Sequence, residues 1–167
     1  MIRAMIFDLD GTLVKTEMLK ALSYVRAVRY LRPAAMTDDH VLEEFNTVGG
    51  LPRREVASRL MHRFGIQAAA EQRMGEFGVD TPWQAFVQLR LRYYHAMMAD
   101  ADMLRSHVWP HTMVLLAQAR RMACKTALAT MSGCAVASHI LEVLSLGHTF
   151  DFVATRDDVK HGKPDTR

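Results

Sequence analysis

Two carboxylates, Asp8 and Asp10, stand two residues apart at the end of a four-residue apolar run, Ala4 to Phe7, and Gly11 and Thr12 follow at once. Carboxylates this close repel each other unless a cation or a proton is shared between them. The chemistry open to the pair is therefore divalent-metal binding, or a nucleophile working beside an acid. A short unbroken apolar run reads as a strand buried on both faces, as in a parallel sheet. Ligands of open α/β sheets bind beyond the carboxyl ends of the strands, which is where Asp8 falls. Two more groups with chemical capacity come late in the chain. Thr130-Met131-Ser132-Gly133 follows a second apolar run, and Lys163 is held between Gly162 and Pro164. With parallel strands, Thr130 reaches the same sheet edge as Asp8. The loop after it opens a helix whose N-terminus can attract an anion, and the hydroxyls of Thr130 and Ser132 can hold phosphate oxygens. The Lys163 ammonium is a point charge suited to phosphate.

The elements that must position these groups are legible in outline. After the first strand, Met18, Leu22, Val25 and Val28 recur near helical spacing, and Pro33 is expected to stop that helix. Thr37-Asp38-Asp39 offers caps for a second helix carrying Val41, Leu42 and Phe45. Val48 to Leu51 reads as a turn. Pro52 suits the first position of a third helix with Val56, Leu60 and Phe64 on one face and Gly65 as its stop. Residues 68–79 are polar and at most partly helical. Thr81-Pro82 opens a long amphipathic helix with Phe86, Leu89, Tyr93 and Met97 on one face, running to about Asp100. Residues 15–100 thus hold no convincing strand. Lys125 to Thr130 and Phe150 to Thr155 are the next strand candidates. A helix from about His111 to Met122 precedes the first of them, and one from about Cys134 to Leu144 separates the two. Strand, helix, strand in this style implies a right-handed parallel crossover. The expected organisation is an α/β core from residues 1–14 and 101–167, with residues 15–100 inserted as a helical unit after strand one.

Composition excludes several functions. Half of the 167 residues are apolar and 23% are charged, which supports a globular chain with a real core. The net charge of +3 and pI near 9.1 come from arginines scattered among the helices. Without a basic stripe, no nucleic-acid partner is expected. No apolar run is long enough to span a bilayer, and no signal-peptide pattern opens the chain. Two cysteines fit a reducing compartment, so the cytoplasm is the expected location. His107 and His111 have a spacing that can bind metal on a helix, but Pro110 lies between them and disturbs it.

With these groups in place, the chain resembles the haloacid-dehalogenase (HAD) superfamily of phosphohydrolases. Asp8 to Val14, DLDGTLV, resembles the family's first motif, Leu128 to Ser132, LATMS, its second, and Gly162-Lys163-Pro164 its third. The helical insertion resembles the cap of the β-phosphoglucomutase and phosphoglycolate phosphatase branch. The resemblance implies a HAD-like Rossmannoid parallel sheet core with an α-helical cap. It implies Asp8 as the nucleophile that forms an aspartyl-phosphate, and Asp10 as the acid that protonates the leaving oxygen and then activates water. Thr130 would hydrogen-bond the phosphoryl group, and Lys163 would orient Asp8 and offset its charge. Gly11, Thr12, Ser132 and Gly133 would line the phosphate, and Mg²⁺ would lie on Asp8 and Asp10. Gly50-Leu51-Pro52-Arg53 matches a cap pattern in which the arginine grips a distal phosphate, with Arg54 as an equal candidate. Lys15 stands where the branch usually carries Asp, and Trp109-Pro110-His111 where it commonly has a proline-glycine turn.

The family's fourth motif, an acidic pair that supplies metal ligands, has no counterpart here after Lys163. The expectation is a chain truncated before that motif, with strand one left as an open sheet edge and one sheet face uncovered, and hence capable of self-association. Three readings stand: a Mg²⁺-dependent phosphatase of small phosphorylated metabolites, an inactive truncated fragment or pairing module, and a β-phosphoglucomutase-like phosphomutase.

Overall fold

The computed structural model describes residues 2–32 and 37–159. Pro33, expected as a helix stop, and Gly162, Lys163 and Pro164 lie outside the described residues. The chain divides into two compact units, one drawn from the described residues of Met1–Glu17 and Asp100–Arg167, the other Met18–Ala99.

The first unit is an α/β layer. Strands β1 (Ala4–Phe7), β2 (Lys125–Ala129) and β3 (Phe152–Ala154) form a parallel sheet in the order β1-β2-β3. Ile6 pairs with Ala127 and Ala127 with Phe152; Phe7 pairs with Leu128 and Leu128 with Val153. Partners in register share a face, and faces alternate along each strand. Phe7, Thr126 and Leu128 face one side and are buried. Helix α8 (Pro110–Arg121) packs against β2, with Leu116 and Ala119 buried. On the other side Ile6 is 75% exposed and Phe152 66%. Among the described residues nothing covers that apolar face, and no strand pairs with the outer edge of β1.

The strand after α9 (Cys134–Val143) is shorter than the sequence suggests. Phe150 and Asp151 are occupied before it starts. The Phe150 ring meets Phe7 edge-on at 6.2 Å. The Asp151 carboxylate accepts the Thr126 N–H at 2.8 Å and pairs with Lys125 at 3.0 Å. These donors, the Thr126 amide first, hold the Asp151 carboxyl below the usual range. Helix α9 ends at Val143, within one residue of the expected Leu144, and the chain turns at Ser145, whose φ is 58°. A further helix, α7 (Ala101–Ser106), has no counterpart in the sequence reading. Asp100 caps it by accepting from the amides of Asp102 and Met103 at 2.9 and 3.1 Å.

The second unit is helical throughout: most of α1 (Thr16–Leu31), then α2 (Asp38–Val48), α3 (Arg53–Phe64), α4 (Gln67–Glu71), α5 (Met74–Phe77) and α6 (Pro82–Ala99). The side chain of Thr37 caps α2 through the His40 amide, and Gly65 ends α3 at φ 62°. Pro52 stands one place earlier than expected, as the N-cap of α3. Val25, Val28, Val41, Leu60, Phe64, Phe86 and Leu89 share one apolar core. Met18, placed on the α1 apolar stripe by its spacing, is exposed, and Leu19 is buried in its stead.

Phe86 is fully buried at the centre of this core. Replacing it by Ala removes a large side chain that its neighbours cannot wholly replace, and large-to-small changes of this kind cost about 3–5 kcal/mol. Urea unfolding of Phe86→Ala followed by helical circular dichroism is expected to show a loss of that size. A loss under about 1 kcal/mol would contradict the packing described.

Candidate active site

β1 delivers its last side chains to a loop that folds on itself. Leu9 is fully buried between the two half-buried carboxylates of Asp8 and Asp10. It drives the turn into the core and leaves both acids at the sheet edge. The amides of Thr12, Leu13 and Val14 all point at the Leu9 carbonyl, at 3.4, 3.0 and 3.1 Å, and the Gly11 amide donates to the Val14 carbonyl at 2.8 Å. Gly11 takes a φ of +73°, a conformation that favours glycine. The far end of the loop is tied down by a short antiparallel ribbon. Lys15 N–H donates to the His107 carbonyl at 2.7 Å and Trp109 N–H to the Leu13 carbonyl at 2.9 Å, with Val14 bridging Val108. The Lys15 ammonium lies 4.8 Å from the centroid of the Trp109 ring. His107 and His111 fall on either side of this ribbon, at the end of α7 and in the first turn of α8, so they share no helix.

β2 ends one residue before Thr130, whose amide continues the ladder by donating to the Ala154 carbonyl at 2.9 Å. Thr130 is buried, and its hydroxyl lies 3.2 Å from Asp10 Oδ2. Ser132 Oγ donates to the same oxygen at 2.7 Å, and the Ser132 amide donates to Thr130 Oγ1 at 3.0 Å. Asp8 Oδ1 accepts the Leu9 amide at 2.9 Å. Asp8, Asp10, Thr130 and Ser132, expected together from the sequence, therefore meet at one edge, with Gly11 and Thr12 in the loop beside them. Gly133 is the N-cap of α9.

Sequence reasoning left two acids at this edge, Asp157 and Asp158, without a role. Asp157 Oδ2 accepts the Cys134 amide at 2.7 Å, so one donor of the α9 N-terminus is met by the chain's own carboxylate. The place of a Gly133 Cβ would be 3.4 Å from the same oxygen. Asp158 accepts the amide and hydroxyl of Thr155, each at 2.7 Å, which fixes the turn after β3. The signal was present: Thr155 followed three residues later by an acid is a capping-box spacing.

Arg53 lies in the other unit, exposed at the first residue of α3, and borders a cleft with Arg54, Trp83 and Gln88. Sequence reasoning missed Arg90 on α6. It is only 6% exposed, its guanidinium lies over the rings of Tyr24 and Tyr94, and its Nε has no partner among the described residues. Burial pushes it below the usual arginine range, Tyr24 opposes that fall and the Arg53 charge adds to it. An arginine at the fourth position after Phe86 on an apolar stripe was the available sign.

Among the described residues no three His, Cys, Asp or Glu side chains gather as a metal site. Asp8 and Asp10 are hard oxygen donors of the type Mg²⁺ takes, and Mg²⁺ is commonly held by one or two carboxylates with water and substrate oxygens completing the shell. The donor set fits that ion as a partial site.

The family description "haloacid dehalogenase-like hydrolase" matches residues 2–167. No curated protein matches the chain. Among solved structures, a candidate β-phosphoglucomutase from Thermotoga maritima is 25% identical, with a TM-score of 0.65 over 98% of this chain and 66% of that one. A candidate phosphoglycolate phosphatase from Haemophilus somnus is 17% identical, with a TM-score of 0.56 over 98% and 66%. A candidate HAD-hydrolase from Bacillus subtilis, bound to magnesium, is 16% identical, with a TM-score of 0.55 over 98% and 69%. The chain thus spans about two thirds of the length of these proteins. No helix among the described residues is long and apolar enough to cross a membrane.

The Thr155 donors hold the Asp158 carboxyl below its ordinary value of 3.8. A carboxylate whose pKa is lower folded than unfolded stabilises the fold above the unfolded value, and that contribution is lost as pH falls through the folded one. Asp158→Asn is therefore expected to melt below wild type at neutral pH, with the gap closing on acidification past that value. A gap that does not change with pH would refute the linkage.

Proposed function

The chain belongs to the haloacid dehalogenase-like hydrolases, and from that premise we propose that it is built for phosphoryl transfer from a small phosphorylated metabolite through an aspartyl-phosphate. The observation that carries the reading is the meeting of Asp8 and Asp10 with the hydroxyls of Thr130 and Ser132 at the carboxyl edge of a parallel sheet. A carboxylate oxygen of Asp8 forms a bond to phosphorus as the ester P–O bond breaks. Asp10 gives its proton to the departing oxygen, a role worth about 10²–10⁴-fold where the leaving group needs it. Asp10 then takes a proton from the water that cleaves the acyl phosphate. The Thr130 hydroxyl turns to a phosphoryl oxygen, and by the resemblance of Gly162-Lys163-Pro164 to the third motif, Lys163 would supply positive charge to Asp8. Mg²⁺ held by Asp8 and the Asp10 carbonyl would supply charge neutralisation between the carboxylate and the phosphate.

Arg53 bears on the substrate: by the cap pattern it matches, it would meet a second anionic group. Arg90, buried against Tyr24 and Tyr94, adds positive charge near Arg53 within the helical unit. A substrate with a second anionic group suits a phosphatase and a phosphomutase alike. Hydrolysis is the favoured outcome because holding water out demands more of the cap.

The test is Mg²⁺-dependent release of phosphate from an aryl phosphate by wild type and by Asp8→Asn. Wild type is expected to exceed background and the variant to fall to it. Equal rates in the two would end the hydrolase reading.

A second reading is favoured by the bare face around Ile6 and Phe152: pairing with another polypeptide through the sheet. In that case Ile6→Lys is expected to shift the sedimentation of the protein toward the monomer. A wild type that is monomeric throughout the micromolar range would rule it out.

A further inference from the structure

The two oxygens of the Asp10 carboxyl are treated differently. Oδ2 accepts from both Ser132 Oγ, at 2.7 Å, and Thr130 Oγ1, at 3.2 Å. Oδ1 makes no hydrogen bond among the described residues. Each hydroxyl has one hydrogen to give. The Thr130 hydroxyl spends its own on Asp10 while accepting from the Ser132 amide. If Thr130 turns to a phosphoryl oxygen, its hold on Asp10 is lost. The shorter contact from Ser132 is then the one that remains.

We propose that Ser132 is a positioning residue for Asp10. Its hydroxyl keeps Oδ2 as an acceptor, so the transferable proton resides on Oδ1. It also fixes the carboxyl plane while Thr130 changes partners. The consequence for turnover rests on the hydrolase reading above; the contact itself does not. In the step concerned, the proton leaves Oδ1 for the ester oxygen as the P–O bond breaks, and Asp10 is left as the carboxylate with Ser132 still donating to Oδ2. A charge-assisted hydrogen bond of this kind is about twice as strong as a neutral one, so it grows firmer as the acid gives up its proton.

This role differs from holding the phosphate. A side chain that grips phosphoryl oxygens serves every phosphate ester alike. One that orients the acid serves only esters whose leaving oxygen needs a proton. Alkyl phosphates need it, and dinitrophenyl phosphate does not.

Two measurements test the proposal. In the first, Ser132→Ala is assayed on an alkyl phosphate and on dinitrophenyl phosphate. The loss of kcat is expected to be at least about 10-fold greater on the alkyl ester, a part of the full general-acid effect. KM should change little, and Ser132→Thr should restore most of the rate. Equal losses on the two esters, or a loss confined to KM, would overturn the proposal. In the second, urea unfolding of Asp10→Ala, Ser132→Ala and the double variant forms a cycle that needs no turnover. Residues in contact are expected to give a non-additive result. Additive effects would overturn the proposal whatever the kinetics. A wild type that hydrolyses neither ester, with the coupling intact, would end the hydrolase reading and leave the Ser132–Asp10 clamp standing.

Discussion

The parallel register between β1 and β2 is the constraint on which the rest of the site depends. Phe7 opposite Leu128 means that the residues leaving each strand emerge at one edge. Asp10 and Thr130, 120 positions apart in sequence, come within 3.2 Å for that reason alone. A slip of one residue would turn Phe7 and Leu128 out of the core and carry the acids with them. Burial of those two side chains therefore fixes the chemistry as well as the fold. The third strand adds to the same edge, since the Thr130 amide takes the Ala154 carbonyl as its acceptor.

Acids dominate the edge, and neutral donors hold several of them in place. Asp10 is held by hydroxyls, Asp157 by the amide that opens α9, and Asp158 by the amide and hydroxyl of Thr155. Neutral donors of this kind satisfy a carboxyl without adding a counter-charge. The local field therefore remains negative, which suits a cation and resists a phosphate dianion. That balance is the physical reason a Mg²⁺ ion and the Lys163 ammonium matter to the proposed chemistry. It also explains why the Thr130 hydroxyl can serve first one anion and then another: its contact is not fixed by net charge.

The acids and hydroxyls of the site were legible in the sequence because each follows an apolar run whose end marks the sheet edge. Asp8 and Asp10 follow Ala4 to Phe7, and Thr130 and Ser132 follow Lys125 to Ala129. What could not be read is which partner each would take. The spacing that offered Thr130 and Ser132 to a phosphate offered them equally to Asp10. Arg90 escaped notice because a lone arginine on a helix usually lies in solvent, and only packing against Tyr24 and Tyr94 makes it a buried charge. Helix α7 is short, and its one clear signal was the Asp100 cap. The early end of β3 reflects side-chain contacts of Phe150 and Asp151 that no local pattern announces. Lys163 lies outside the described residues, so its expected place beside Asp8 stays with the proposal.

The Leu9 carbonyl, on which the amides of Thr12, Leu13 and Val14 converge, has a consequence for motion. Functional loops are commonly the mobile parts of a fold, with backbone protons open to solvent. Here the segment carrying both acids closes its own amides inward around a fully buried side chain. Its backbone protons are shielded as those of a core strand are, and exchange with deuterated water should be slow along it. The proposed chemistry would then rest on a stretch held by its own backbone hydrogen bonds, and adaptation to a substrate would fall to elements elsewhere.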